Sequence, residues 1–165
     1  MGTQGKGAVK RFVLGSNTIA AIRHLSYPLI AVPPKAKFTG IKKIGLACDM
    51  KKVIPTIPAR EIKQLVEQFK AELHVIYVNS EGDPMHVPET VEESAFLQEM
   101  LEKLHPVYHT LNNPDIEDGI SKYAKKHNFD LLIIVPKKHG LLETIFHKSH
   151  SKQLILHTQV PAMAI

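Results

Sequence analysis

The stretch NPDIEDGISKYAKKHNFDLLIIV, residues 113–135, decides the fold. Its first half has helical spacing: Asn113 reads as an N-cap with Pro114 in the first turn, and Ile116, Ile120, Tyr123 and Ala124 share one face. Asp115, Glu117 and Asp118 then fall in the first turn, where negative charge complements the helix dipole, so they are read as structural. The second half, DLLIIV (130–135), is an almost wholly apolar run bounded by polar residues. Such a run is the mark of a strand buried on both faces of a sheet, which requires helices above and below it.

The same alternation continues in both directions. Upstream, KKIGLAC (42–48) is a short buried strand, and Thr56 and Pro58 form an N-cap and first-turn pair for a helix whose Ile62, Leu65, Val66 and Phe69 lie on one face. ELHVIYV (72–78) is a second strand. NSEGDPMHVP (79–88) is a polar turn region opening into a helix with Val91, Ala95, Leu97, Leu101 and Leu104 as its apolar stripe, and PVYHTL (106–111) is a third strand. Downstream of Val135, a loop rich in Lys and His leads to a last helix near 149–157, and VPAMAI (160–165) is a fifth strand. Strands alternating with helices imply right-handed crossovers, so the reading is a doubly wound α/β domain: a five-stranded parallel sheet with helices on both faces. Ligands of such sheets bind beyond the carboxyl ends of the strands, at the switch point. Asp49, Asn79 and the loop from Val135 to Gly140 are therefore the strand ends of interest.

The N-terminal segment does not begin this pattern. At one constant offset, Gly7, Ser16, Ile22, His24, Pro28 and Ala31 fall on Gly140, Ser149, Ile155, His157, Pro161 and Ala164. Residues 1–34 thus read as the loop, helix (about 16–25) and last strand (YPLIAV, 27–32) of a preceding repeat. Residues 35–40 read as a linker, stiffened by Pro33 and Pro34, and residues 41–165 as a complete domain. The second copy does not keep the glycines, because Gly2, Gly5 and Gly15 align with Val135, Lys138 and Lys148.

With 44% hydrophobic and 22% charged residues, the 165-residue chain is expected to be a globular domain with an appendage. No apolar run approaches the length of a membrane helix and no signal layout opens the chain, so the expectation is a cytoplasmic protein with no membrane partner. The formal charge of +5 is spread over lysine pairs. Without tryptophan, and with 6% aromatics not interleaved among basic residues, the chain does not read as a nucleic-acid platform. Cys48 is the single cysteine, so it cannot form an internal disulfide, and it reads as a buried small hydrophobe.

Taken together these residues resemble the universal stress protein family in its tandem form, with two domains in one chain. The resemblance is carried by the spacing of Gly2, Gly5, Gly15 and Ser16, by Arg23-His24 and the Pro28-Leu-Ile-Ala-Val strand, by LACD at 46–49, and by residues 113–135. It implies a fold of the adenine nucleotide alpha hydrolase type. It further implies that a glycine loop binds the triphosphate of ATP through backbone N–H groups and a helix start, while the aspartate and the end of the second strand hold adenosine. By position, Gly2, Gly5, Gly15 and Ser16 would be phosphate contacts of the first domain, whose own first strand and aspartate are absent from this sequence. No stable ATP binding is expected there unless another chain supplies the rest. The complete domain keeps Asp49 and Ser149, but side chains at Val135, Lys138 and Lys148, with Pro136 inserted, would crowd a triphosphate. Two readings stay open for the basic loop. It is either a solvated surface, or an anion site in which Lys137, Lys138, His139, Lys148 and Ser149 replace bare backbone by charge, with Asp49 and Asn79 holding the rest of ATP or AMP.

In the family, the last strands of two domains commonly pair about a two-fold axis, so Leu29–Val32 is predicted to run antiparallel beside Ala162–Ile165. A homodimer, or pairing through last strands, is the expected partnership. No metal site is expected: His139, His147, His150 and His157 cluster in sequence, but only His147 and His150 are three apart and no cysteine or carboxylate lies among them. His24 and His157 fall at helix ends, where they complement C-terminal carbonyls. No nucleophile elbow, Walker loop, metal-binding HExxH or carboxylate pair is present. The first expectation is thus a non-enzymatic stress-response module with a degenerate nucleotide loop, acting in domain pairing or regulation. The second is an ATP- or AMP-binding stress sensor with weak ATP hydrolysis. Electron-transfer or ligase chemistry rests on fold analogy alone.

Overall fold

A computed structural model describes residues 28–79, 88–136 and 150–165. The strands are β1 (Leu29–Ala31), β2 (Lys43–Ala47), β3 (Glu72–Asn79), β4 (Val107–Asn112), β5 (Leu131–Ile134) and β6 (Ala162–Ala164). The helices are α1 (Val53–Thr56), α2 (Ala59–Phe69), α3 (Pro88–Leu101), α4 (Ile116–Lys126) and α5 (His150–His157), with a 3₁₀ turn at Glu102–Leu104. The expected helix at about 16–25 lies outside the described residues.

The six strands form one sheet in the order β1-β6-β5-β2-β3-β4. Every pair from β6 to β4 is parallel, which bears out the doubly wound reading. The sixth strand, β1, lies antiparallel on β6, with Leu29 opposite Ala164, Ile30 opposite Met163 and Ala31 opposite Ala162. That is the expected placement of Leu29–Val32 beside the last strand. Between β1 and β2 there is no helix or strand, only a turn in which Ala36 N–H donates to Pro33 O at 3.0 Å.

Period-two alternation sorts the strand residues onto two cores. On one face Ile44, Leu46, Leu73, Val75, Leu131 and Ile133 pack with Ile62 and Val66 of α2 and with Leu97 and Leu101 of α3. On the other, Ile76, Val78, Leu132 and Ile134 pack with Ile120 and Ala124 of α4 and with Leu154 and Ile155 of α5. All four residues of β5 are buried, as the run DLLIIV requires. Gly45 lets this second face close, because a β-carbon there would stand 2.8 Å from Leu132 Cδ2 and 3.2 Å from both Ile76 Cδ1 and Phe129 Cδ1.

Several local expectations are corrected. Helix α4 begins at Ile116, and its N-cap is Asp115, whose Oδ1 accepts the Asp118 N–H at 2.9 Å. Asn113 instead accepts the Asp115 N–H at 2.9 Å, a side-chain turn that places Pro114 before the helix. Thr56 is the last residue of α1, not a cap, and its hydroxyl donates to Lys52 O at 2.6 Å. Pro58 occupies the cap position of α2. In α3 only Leu97 and Leu101 of the expected stripe are fully buried, whereas Val91 and Ala95 face solvent. That helix packs on one edge of the core with its last two turns, so burial narrows to residues four apart.

Candidate functional site

The chain reverses direction of winding between β2 and β5. From β2 it runs outward to β3 and β4, then returns past β2 to β5 and β6. The carboxyl ends of β2 and β5 therefore diverge into a crevice with no crossover above it, the position where open α/β sheets hold ligands. Ala47 pairs with Ile134 at the last rung, so Cys48 and Asp49 leave one lip of the crevice and Val135 and Pro136 the other. Asn79 ends β3 on the same edge, beside Asn112 of β4.

The lip after β2 is a tightly held turn. Asp49 is exposed, and its Oδ1 accepts the Lys51 N–H at 3.1 Å. Met50 and Lys52 adopt left-handed backbone, with φ of 52° and 48°. Non-glycine residues there cost about 1 kcal/mol or more each. The turn is fixed by what surrounds it: the Met50 side chain is buried in the core, and Met50 N–H points to Cys48 Sγ at 3.4 Å. Glu93 reaches across from α3, and its Oε2 accepts the Val53 N–H at 2.5 Å, a carboxylate on the first amide of α1. Cys48 is buried, as expected, and its N–H donates to Ile76 O at 3.1 Å.

The other lip is apolar. Val135 is half-buried with its side chain against the core, at the position that the constant offset aligns with Gly2. Asn79 Nδ2 donates to Asn112 Oδ1 at 3.3 Å, while Asn79 Oδ1 is buried and has no hydrogen-bond partner among the described residues. A buried orphan acceptor at a strand's carboxyl end suits an N–H or O–H group of a ligand.

The structure thus brings Asp49, Asn79 and Val135 to one edge of the sheet. Gly2, Gly5, Gly15 and Ser16, expected as phosphate contacts, and Lys137, Lys138, His139, Lys148 and Ser149, expected as an anion site, lie outside the described residues, as does His147. Sequence reasoning missed Glu93 and Asn112. Glu93 carries no motif and acts through a contact 40 residues away, and Asn112 becomes notable only through its register with Asn79. Among the described residues no group of three or more His, Cys, Asp or Glu side chains is placed to hold a metal, and no helix is long and apolar enough to cross a membrane.

Comparison with known proteins gives the following. The sequence model described as "Universal stress protein family" matches residues 41–165. No curated protein matches the chain in sequence. Among solved structures, a universal stress protein from Archaeoglobus fulgidus superposes with a TM-score of 0.65 at 17% identity, over 99% of this chain and 58% of that one. A putative universal stress protein from Pseudomonas aeruginosa gives 0.71 at 13% identity, over 100% of this chain and 61% of that one. A shorter universal stress protein from A. fulgidus, in complex with dAMP, gives 0.54 at 17% identity, over 75% of this chain and 97% of that one. At these identities the structural likeness shows the fold. The chain spans less than two thirds of the two longer neighbours.

Proposed function

Because the chain belongs to the universal stress protein family, we propose that it is a non-enzymatic member whose complete domain has given up the nucleotide loop and acts in domain pairing or regulation. Val135 carries this reading. A glycine at that place lets a phosphate approach bare backbone, whereas the valine side chain stands at the lip and packs against the core. The β1 ladder supports the pairing half of the proposal. Residues 29–31 precede the segment matched by the family, yet they add a strand to its sheet through β6. Pairing of this kind joins two last strands, so residues 1–34 serve as the tail of a first repeat. Ile30 and Val32, which this strand leaves exposed, are buried against a second copy. The domain works without ATP hydrolysis and in a soluble, cytoplasmic setting.

The test is calorimetric titration of the purified chain with ATP and with AMP, each with and without magnesium. No detectable heat and no phosphate release is the expected result. Micromolar binding of either nucleotide would overturn it.

Asn79 favours a second reading, an adenine nucleotide sensor. Its orphan Oδ1 and the exposed Asp49 stand at the same sheet edge, and a structural neighbour is in complex with dAMP. In that reading Lys137, Lys138, His139, Lys148 and Ser149 hold phosphate by charge. Binding of AMP that is lost in both Asp49→Ala and Lys138→Ala would establish it, and equal affinity in both variants would remove it.

A further inference from the structure

A second polar cluster lies on the α4 face of the sheet, toward the opposite end of β3 from Asn79. His74 of β3 is buried, and its Nδ1 sits 2.9 Å from Nε2 of His109 on β4. The other nitrogen of His109, Nδ1, is 2.9 Å from the hydroxyl of Tyr123 on α4. His74 Nε2 makes no hydrogen bond among the described residues, and the Glu72 carboxylate lies 3.5 Å from it. Aromatic contacts enclose the chain. The imidazoles of His74 and His109 lie edge to edge with their planes 17° apart, Phe129 meets His74 edge-on, and His127 lies on Tyr123 with ring centroids 4.1 Å apart.

The proton positions follow from the partners. Glu72 favours N–H on His74 Nε2, which leaves Nδ1 as an acceptor. His109 must then donate from Nε2, and its Nδ1 accepts from Tyr123. One further proton is accommodated. If His74 becomes charged, Nδ1 donates to His109 Nε2, the His109 proton moves to Nδ1, and the Tyr123 hydroxyl turns to accept it. A second proton has no such arrangement, because it puts N–H groups face to face across 2.9 Å. The surrounding charges do not rescue it. Among the described residues Glu72 is the carboxylate that faces His74, since Asp130, just before β5, is taken by the Lys42 and Lys43 amides, while Lys43 of β2 opposes further positive charge.

We propose that the His74–His109–Tyr123 chain is an acid-responsive latch, which holds β4 and the C-terminal half of α4 to β3 while one of its imidazoles is neutral and releases them when both are protonated. Burial acts in the same direction, holding both histidines below the ordinary imidazole value. The latch joins three elements that are otherwise fastened unequally. β4 is the outer strand of the sheet, paired through β3 alone among the described residues, with Val107 and Tyr108 exposed. Its release frees an edge and with it Asn112, the partner of Asn79 Nδ2, whereas the β2–β5 and β5–β6 ladders do not involve β4.

The experiment is residue-resolved amide exchange by NMR on the full chain at pH 7.5 and at stepwise lower pH, corrected for intrinsic exchange, with the histidine ring signals followed in the same samples. The expected result is a coupled two-step titration of His74 and His109. Its second step coincides with a loss of protection in β4 and residues 120–126 that exceeds the loss in β2 and β5 by about tenfold. In His109→Gln, which keeps a hydrogen-bonding side chain and cannot titrate, the selective loss disappears. Independent titration of both rings as ordinary imidazoles, or protection that falls equally across the sheet in the unmodified chain, overturns the latch even if His109→Gln fails to fold.

Discussion

Asp130 reaches back to the start of a neighbouring strand and holds Lys43 by its backbone: one carboxylate oxygen, Oδ2, accepts the N–H of Lys43 at 2.9 Å and that of Lys42 at 2.8 Å. The backbone completes the clasp, because Asp130 N–H donates to Lys43 O at 2.9 Å. The two central strands of the sheet, β2 and β5, are thereby registered at their amino ends, and that register sets which residues meet at the crevice.

Asp130→Ala removes both charge-assisted bonds and leaves the two amides to water. A loss of about 1–3 kcal/mol in unfolding free energy is expected, read as a lower urea midpoint with an unchanged slope. Asp130→Asn, which keeps one acceptor oxygen, should recover part of it.

Glu93→Ala removes the carboxylate that accepts the first amide of α1, next to the Met50–Lys52 turn. The expected cost is about 1–2 kcal/mol, with the largest gain in amide exchange at residues 50–56. Equal exchange gains across the whole sheet would count against a local role.

Gly45→Val places branched carbon where even a β-carbon would stand 2.8 Å from Leu132 Cδ2. Overpacking of this kind costs about 1–3 kcal/mol, and the thermal midpoint should fall accordingly. Gly45→Ala should cost less, since the atoms it meets are the ends of side chains that can turn.

Stability should depend on pH through His74 and His109. Both are held below the ordinary imidazole value by burial, so the unfolded chain binds the proton first as pH falls. Their contribution is complete above about pH 6.5, the unfolded value, and is lost as pH drops through the lower folded values. Urea unfolding at pH 7.5, 6.5 and 5.5 measures this, and a midpoint independent of pH over that range would contradict it.

The sheet was legible because its strands are short apolar runs whose period separates two cores, and DLLIIV admits no other element. Asp49 and Asn79 were legible as strand ends once the alternation was recognised. What the sequence did not reveal depends on register or on long reach. Glu93 acts on Val53 through tertiary contact, and His74 and His109 meet only because β3 and β4 align with a two-residue stagger, His109 opposite Ile76. Asn113 misled because an asparagine before proline signals either a cap or a side-chain turn, and Asp115 two residues on was the better cap. The Val91 and Ala95 positions misled because helical spacing records which residues share a face, not how far along that face the core extends.

The ladder between β1 and β6 has a consequence for assembly. Leu29 and Ala164 frame the described fold, so their pairing has the greatest sequence separation of any rung in the sheet. Loop-closure entropy favours near contacts first, and this rung closes only after the strands between them are in place. Until then the outer side of β6 is an unprotected template, open to the same strand from another molecule. For the proposed pairing through last strands, intramolecular closure then competes with encounter, and a higher protein concentration during folding favours the encounter.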